Sequence, residues 1–141
     1  MSEEQAQRLM QQMQMLETYF ADLSQREVTL VNVLRESIAA IESIKSLSLN
    51  PASEALVPIG MGTYVQTKIS SNDKIVLNIG AGIAVEKNSV SAMNYLEARI
   101  KEIEIALQDV TTRKQDVVAR LEQGKDKMNQ LMEASSQNIS G

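Results

Sequence analysis

The chain has 141 residues, a length typical of one domain, with 43% hydrophobic residues, 23% charged residues and a formal net charge of −4. It contains neither cysteine nor histidine, which excludes disulfides, thiolate nucleophiles, Cys/His zinc sites and a histidine general base. The mixed-sign, net negative charge argues against nucleic acid as the main ligand. The acidic, polar start and the shortness of every apolar stretch predict a cytoplasmic protein without a signal peptide or a membrane span.

Residues 1–49 are predicted to form one long helix. Steps of four and three residues, taken alternately from Leu9 to Ile44, reach apolar side chains at all positions except Glu27 and Ser37. This spacing is the period of a coiled-coil seam. Pro51 ends the helix because it biases the preceding residue away from the helical region.

Residues 50–88 are predicted to form a β segment. Short runs rich in β-branched residues occupy 56–59, 63–69, 74–79 and 83–86, and clusters of Gly, Ser and Asx residues separate them. Such punctuation between apolar runs is typical of hairpins. Four strands in two hairpins are therefore expected.

A second long helix is predicted over residues 89–134, followed by a flexible tail over 135–141. The 4–3 series from Met93 to Leu131 is apolar except at Lys114 and Gly124. Residues 133–141 are small and polar, which favours fraying at the end of the chain.

The two helices have similar lengths and a compact connection, so we expect them to fold back as an antiparallel pair. Residue i of the first helix then meets roughly residue 138 − i of the second, a relation that follows from the connection at residues 48 and 90. It places Met13 near Lys125 and brings both chain ends to the tip of the coiled coil, away from the strands. The predicted fold class is α+β, a long antiparallel two-helix coiled coil with a β segment.

The β segment is predicted to need partner subunits. A small open sheet with apolar faces and unpaired edges is marginal alone and is a template for assembly. We therefore expect it to complete a sheet or barrel with other chains. The predicted subunit-interface residues are Val57, Ile59, Tyr64, Val65, Ile69, Ile75, Leu77, Ile79, Ile83 and Val85.

No catalytic constellation, metal site or cofactor motif is recognisable, so the chain is not expected to be an enzyme. The Gly60-x-Gly62 and Gly80-x-Gly82 pairs have valine at the third-glycine position of a dinucleotide fingerprint, and no Gly-Lys-Ser/Thr follows. Tight turns or bulges are the favoured interpretation of these glycines.

The methionines suggest a binding surface at the tip. Met10, Met15 and Met132 lie off the strict seam and would widen its apolar stripe beyond what two helices bury. Methionine suits surfaces that accept many apolar shapes. The alternatives are core packing at seam positions and a frayed end without a role. The predicted binding residues at the tip are Leu9, Met10, Met13, Met15, Leu16, Met128, Leu131 and Met132.

The segments Val57-Pro58-Ile59-Gly60-Met61-Gly62 and Ile79-Gly80-Ala81-Gly82, set between two long helices, closely resemble archaeal prefoldin alpha subunits. The resemblance implies a hexamer of two alpha and four beta subunits, whose strands form a double β-barrel platform that carries six coiled coils. It further implies a chaperone that binds non-native polypeptides at the coiled-coil tips without ATP and passes them to a group II chaperonin. The alternative function is a structural coiled-coil scaffold or tether that binds one defined partner.

Overall fold

The computed structural model describes the backbone of residues 2–140 and the side chains of residues 3–136. The described residues form two long helices and four strands. In chain order they are α1 (Ser2–Leu49), β1 (Ala52–Gly60), β2 (Thr63–Ser70), β3 (Ile75–Gly80), β4 (Ile83–Lys87) and α2 (Ser89–Ser140). The predicted α+β class, with two hairpins between two long helices, is confirmed.

The chain divides into two compact units. The helical unit comprises Met1–Val31 and Ile105–Gly141, and the hairpin unit comprises Asn32–Glu104. Each long helix contributes residues to both units.

The predicted seam is confirmed along both helices. Every residue of the two 4–3 series, from residue 9 to 44 and from 93 to 131, is buried or half-buried. In the helical unit, Leu23, Val110 and Val117 form the buried cluster at the centre of this seam. Half-buried apolar side chains pack around the cluster, namely Leu16, Phe20, Leu30 and Leu121. Burial of a continuous apolar stripe is the main source of stability for helices of this length.

The cross-helix contacts of the helical unit are those of an antiparallel pair. Lys114 lies beside Glu27, whereas Gly124 lies beside Met13, so α2 numbers rise as α1 numbers fall. The predicted partner of Met13 was Lys125, one residue away from the observed neighbour. The antiparallel prediction and its register are therefore confirmed in this unit.

The hairpin unit contains two separate two-stranded antiparallel sheets. Strand β1 pairs with β2 and strand β3 pairs with β4, and the described strands form no ladder between the hairpins. The buried apolar side chains of this unit come from its helical segments, at Ile41, Ile44, Ala92 and Ile103. The strands therefore leave most of their apolar side chains outside this core.

Both Gly-x-Gly segments form tight turns with a bulge, as the sequence predicts. Met61 and Gly62 have φ angles of 48° and 71°, and positive φ at both central residues is the signature of a type I′ turn. The second turn, at residues 80–82, repeats this pattern. The pairing register shifts between Pro58 and Gly60, and again at the equivalent place in the second hairpin.

The start of α2 agrees with the prediction, but its end differs. Asn88 caps the helix, because its side-chain oxygen accepts a hydrogen bond of 2.8 Å from the Ser91 amide. At the other end, α2 continues to Ser140 and not to residue 134, since neither proline nor glycine lies between residue 134 and Gly141. The predicted flexible tail, 135–141, therefore begins within a helix in the structure. Gly141 and the side chains of residues 137–140 lie outside the described residues.

Candidate functional site

The structure divides the predicted tip residues into a packed set and an exposed set. Five of them are half-buried in the seam, at Leu9, Met13, Leu16, Met128 and Leu131. The other three carry largely exposed side chains, with exposed fractions of 53% for Met10, 73% for Met15 and 64% for Met132. The seam members hold the helices together, and the exposed members are available to another molecule.

Gly124 permits close contact between the helices beside this surface. A Cβ atom at this position would lie 3.0 Å from Met13 Cγ and 3.2 Å from its Sδ. The residue is buried, and the Met13 side chain occupies the space above its Cα atom. In the sequence Gly124 interrupts the apolar series and weakens the helix, and the structure shows that it is also a packing position.

Four methionines line an open groove on one side of the seam, which we call the methionine groove. Two come from α1 and two from α2, and the lining also includes one charged residue of each sign. These residues are Met10, Met13, Met128 and Met132, with Glu17 and Lys125. The groove presents flexible, polarizable thioether groups. Its two charged residues have opposite signs, so their charges cancel.

A second groove lies on the other side of the seam, and we call it the tyrosine groove. Its lining includes Leu9, Met15, Leu16, Tyr19, Arg120 and Lys127. It continues toward the chain ends, where Arg8 and Leu131 join Leu9 and Lys127. The predicted tip residues therefore do not form one surface, because Met15 belongs to the tyrosine groove whereas Met10 and Met132 belong to the methionine groove.

The Tyr19 hydroxyl at the end of the tyrosine groove is held by a cross-helix hydrogen bond. The Arg113 guanidinium donates to it at 3.2 Å and donates to the Asp109 carboxylate at 3.0 Å. The hydrogen bond to Tyr19, followed by the charge of Asp109, raises the pKa of Arg113 above its ordinary value. Since Tyr19 accepts from this permanent cation, its own proton remains available for donation.

The two charged interruptions of the seam meet each other. Lys114 Nζ lies 3.4 Å from Glu27 Oε1, and the two side chains are 21% and 35% exposed. The same ammonium lies 5.0 Å from the ring centre of Phe20, within the range of a cation–π contact. A lone charge would be partly desolvated in the seam, so each residue stabilises the other.

The predicted interface residues of the hairpins carry much exposed apolar surface in the single chain. Six of them are largely exposed, namely Val57, Ile59, Tyr64, Val65, Ile79 and Ile83. The remaining four are half-buried, namely Ile69, Ile75, Leu77 and Val85. Leu77 and Val85 are paired neighbours in the second hairpin.

The structure also exposes three apolar residues of the hairpins that the sequence analysis did not single out. Leu56 and Val76 are exposed on strands, and Met61 is fully exposed at the tip of the first turn. Both Leu56 and Val76 lie one residue from a predicted interface residue, so strand alternation places them on the opposite face of their hairpin. Met61 is exposed because its left-handed backbone belongs to a turn that projects from the sheet.

Comparison with known proteins agrees with this arrangement. The family model described as "Prefoldin subunit" matches residues 2–134, nearly the whole chain. The chain belongs to the prefoldin family. The family is one of chaperone subunits, and the resemblance noted from the Gly-x-Gly segments is confirmed.

Relatives of this prefoldin chain carry the name of the alpha subunit. Prefoldin subunit alpha of Nitrosopumilus maritimus is 71% identical over 138 residues, which are 98% of this chain and 95% of the relative. Prefoldin subunit alpha of Methanospirillum hungatei is 29% identical over 127 residues, 85% of each chain. A cryo-EM structure of filamentous PFD from Methanocaldococcus jannaschii is similar in fold, with a TM-score of 0.51 and 23% identity over 86% of this chain and 95% of that one.

Neither helix has a stretch that is long and apolar enough to cross a membrane within residues 2–140. The same part of the chain holds no group of three acidic side chains placed to bind a metal ion.

Proposed function

We propose that this prefoldin chain captures non-native polypeptides on the apolar surface at the free ends of its coiled coil. The observation that carries the proposal is the exposure of Met10, Met15 and Met132 beside the seam at one end of the helical unit. Apolar side chains of an unfolded client gain about 25 cal/mol for each Å² that they bury against such a surface. Methionine adapts its shape to different clients at little cost.

Assembly with other chains through the hairpins is the second part of the proposal. Each hairpin is a two-stranded sheet with unpaired edges and exposed apolar side chains, and such a sheet is marginal alone. The family resemblance points to the prefoldin beta subunit as the partner, in a hexamer of two alpha and four beta chains with a double β-barrel platform. Several tips on one platform then bind one client with avidity, although each tip binds weakly.

The third part of the proposal is transfer of the client to a group II chaperonin in the cytoplasm. Weak individual contacts favour release, because each tip dissociates from the client separately. The cycle proposed here uses no ATP, since binding depends only on buried apolar surface.

The test replaces the three exposed methionines in the assembled complex. Met10→Ser, Met15→Ser and Met132→Ser together remove apolar groups that lie off the seam, so the coiled coil stays folded. We expect suppression of aggregation to fall at least severalfold for several unrelated clients, measured by light scattering. Assembly, measured by multi-angle light scattering, should not change.

A matched control removes three exposed apolar side chains elsewhere in the same unit. Val28→Ser, Ile105→Ser and Val118→Ser take away comparable exposed surface, and they should leave client protection intact. Equal losses in both triple variants would contradict capture at the tip. Binding of a single defined partner with no protection of unrelated clients would favour the scaffold function instead.

A further inference from the structure

The two grooves beside the seam differ in charge. The charged side chains that line the tyrosine groove and its extension are Arg8, Arg120 and Lys127, and all three are basic. The methionine groove has one residue of each sign, Glu17 and Lys125. The whole chain has a net charge of −4, so a groove whose charged residues are all basic has the opposite sign to the chain as a whole.

The cations of the tyrosine groove are available to a ligand. Within the described residues, no acidic side chain lies within ion-pair distance of Arg8 or Lys127. Arg120 donates from Nε to Asp116 at 3.1 Å, and its remaining guanidinium N–H groups can donate elsewhere. Asp22 lies near Met15 and Tyr19, but it does not line the tyrosine groove.

Asp22 does not neutralise the tyrosine groove, because its carboxylate pairs with Arg26 at 3.5 Å. The groove also offers apolar contact surface, since the Met15 side chain is mostly exposed. A hydrogen-bond donor completes it, because the Tyr19 hydroxyl accepts from Arg113 and retains its own proton. Apolar surface, cations and a hydroxyl donor together complement an apolar segment that carries carboxylates.

We propose that the tyrosine groove selects client segments in which Asp or Glu side chains stand beside apolar ones, whereas the methionine groove binds apolar segments without regard to charge. This inference rests on the proposed capture of non-native polypeptides at the tip. A client segment rich in lysine is disfavoured in the tyrosine groove, because like charges meet there. The tip thus sorts client segments between its two sides.

The test uses the full chain in its assembled form, with a photo-crosslinking amino acid at one of two α2 positions. Gln123 lines the tyrosine groove and Asn129 lines the methionine groove, and both are exposed. The probes are three short peptides of one apolar sequence that carry two glutamates, two glutamines or two lysines at the same positions. We expect the glutamate peptide to crosslink about three- to tenfold more than the lysine peptide at position 123, the range for one or two exposed ion pairs. At position 129 the yields should agree within about twofold, because the charges there balance.

Charge reversal supplies the matched control. Arg8→Glu with Lys127→Glu should abolish the glutamate preference at position 123, whereas Lys125→Glu in the methionine groove should leave that preference intact. All three side chains are exposed, and equal helix content by circular dichroism will show that the variants fold. Added salt should reduce the preference as well, because exposed charges are screened.

Three results would overturn the inference. Equal crosslinking of all three peptides at both positions would support capture at the tip but not selection by charge. Loss of the preference in Lys125→Glu would show that the general charge of the tip, and not the tyrosine groove, attracts carboxylates. Crosslinking of no peptide at either position would contradict the proposed function together with this inference.

Discussion

A disulfide between positions 13 and 124 would test the register of the helical unit at its closest contact. The chain has no cysteine, so Met13→Cys with Gly124→Cys introduces a single possible bridge. The sulfur of a cysteine at 13 would take the place of Met13 Cγ, which lies 3.0 Å from a Cβ built at Gly124. In a disulfide, the sulfur of one cysteine lies about 3 Å from the Cβ atom of the other, given an S–S bond of about 2.05 Å. We therefore expect near-complete oxidation in a mild redox buffer.

The bridge should stabilise the chain considerably. It closes a loop of about a hundred residues, for which the chain-entropy model gives about 4.7 kcal/mol. Loss of the half-buried Met13 side chain removes about 1–2 kcal/mol of packing. The oxidised variant should therefore exceed the wild-type chain by about 3 kcal/mol, and its reduced form should be about 1 kcal/mol less stable than wild type. Thermal melting with and without reductant, with thiol titration, measures both values.

The control pair shifts one cysteine by a heptad along the same seam. Met13→Cys with Leu131→Cys separates the partners by about 10 Å along α2, at a rise of about 1.5 Å per residue. That separation exceeds the reach of a disulfide. Equal oxidation of the two pairs, or a bridge in the control alone, would refute the register described here.

Three further changes test other parts of the chain. Urea unfolding of Glu27→Gln, Lys114→Gln and the double variant should give a coupling energy of about 1 kcal/mol, because the ion pair is only partly buried. A coupling energy of zero would mean that the pair does not stabilise the seam. Leu77→Asp should prevent assembly with the beta subunit in light scattering, whereas Asn78→Asp on the opposite face should assemble normally; a normal oligomer of the former would contradict the proposed interface. Gly82→Ala should lower stability by about 1 kcal/mol on thermal melting, because its φ of 74° strains an L-residue even in open space; an unchanged melting temperature would show that the turn adapts.

The seams and the hairpins could be predicted because their causes are local or periodic. A 4–3 spacing of apolar residues identifies the buried face without knowledge of the partner helix, and the structure buries or half-buries each residue of that face. The Gly-x-Gly segments likewise determine their own turns, since positive φ at successive residues is tolerated by few sequences. The predicted bounds of these elements differ from the observed ones by a few residues, apart from the end of α2 and the start of β1.

Features that depend on the partner helix were missed. The packing role of Gly124 depends on Met13, which is distant in the sequence, and local propensity shows only a weakened helix there. The division of the tip into two grooves depends on how side chains of both helices meet across the seam. A sequence signal did exist for the pair of Glu27 and Lys114, because each is the charged interruption of its seam and the predicted register brings them within a few residues of each other.

The two hairpins share a turn motif and the backbone geometry around it. Residues 57–65 align with residues 77–85 at a constant offset, with the same Gly-x-Gly turn, the same bulge and valine at the last position. Because each hairpin forms its own sheet and has its own register, we expect the β segment to be bivalent, with similar edges and apolar faces for two neighbours at once.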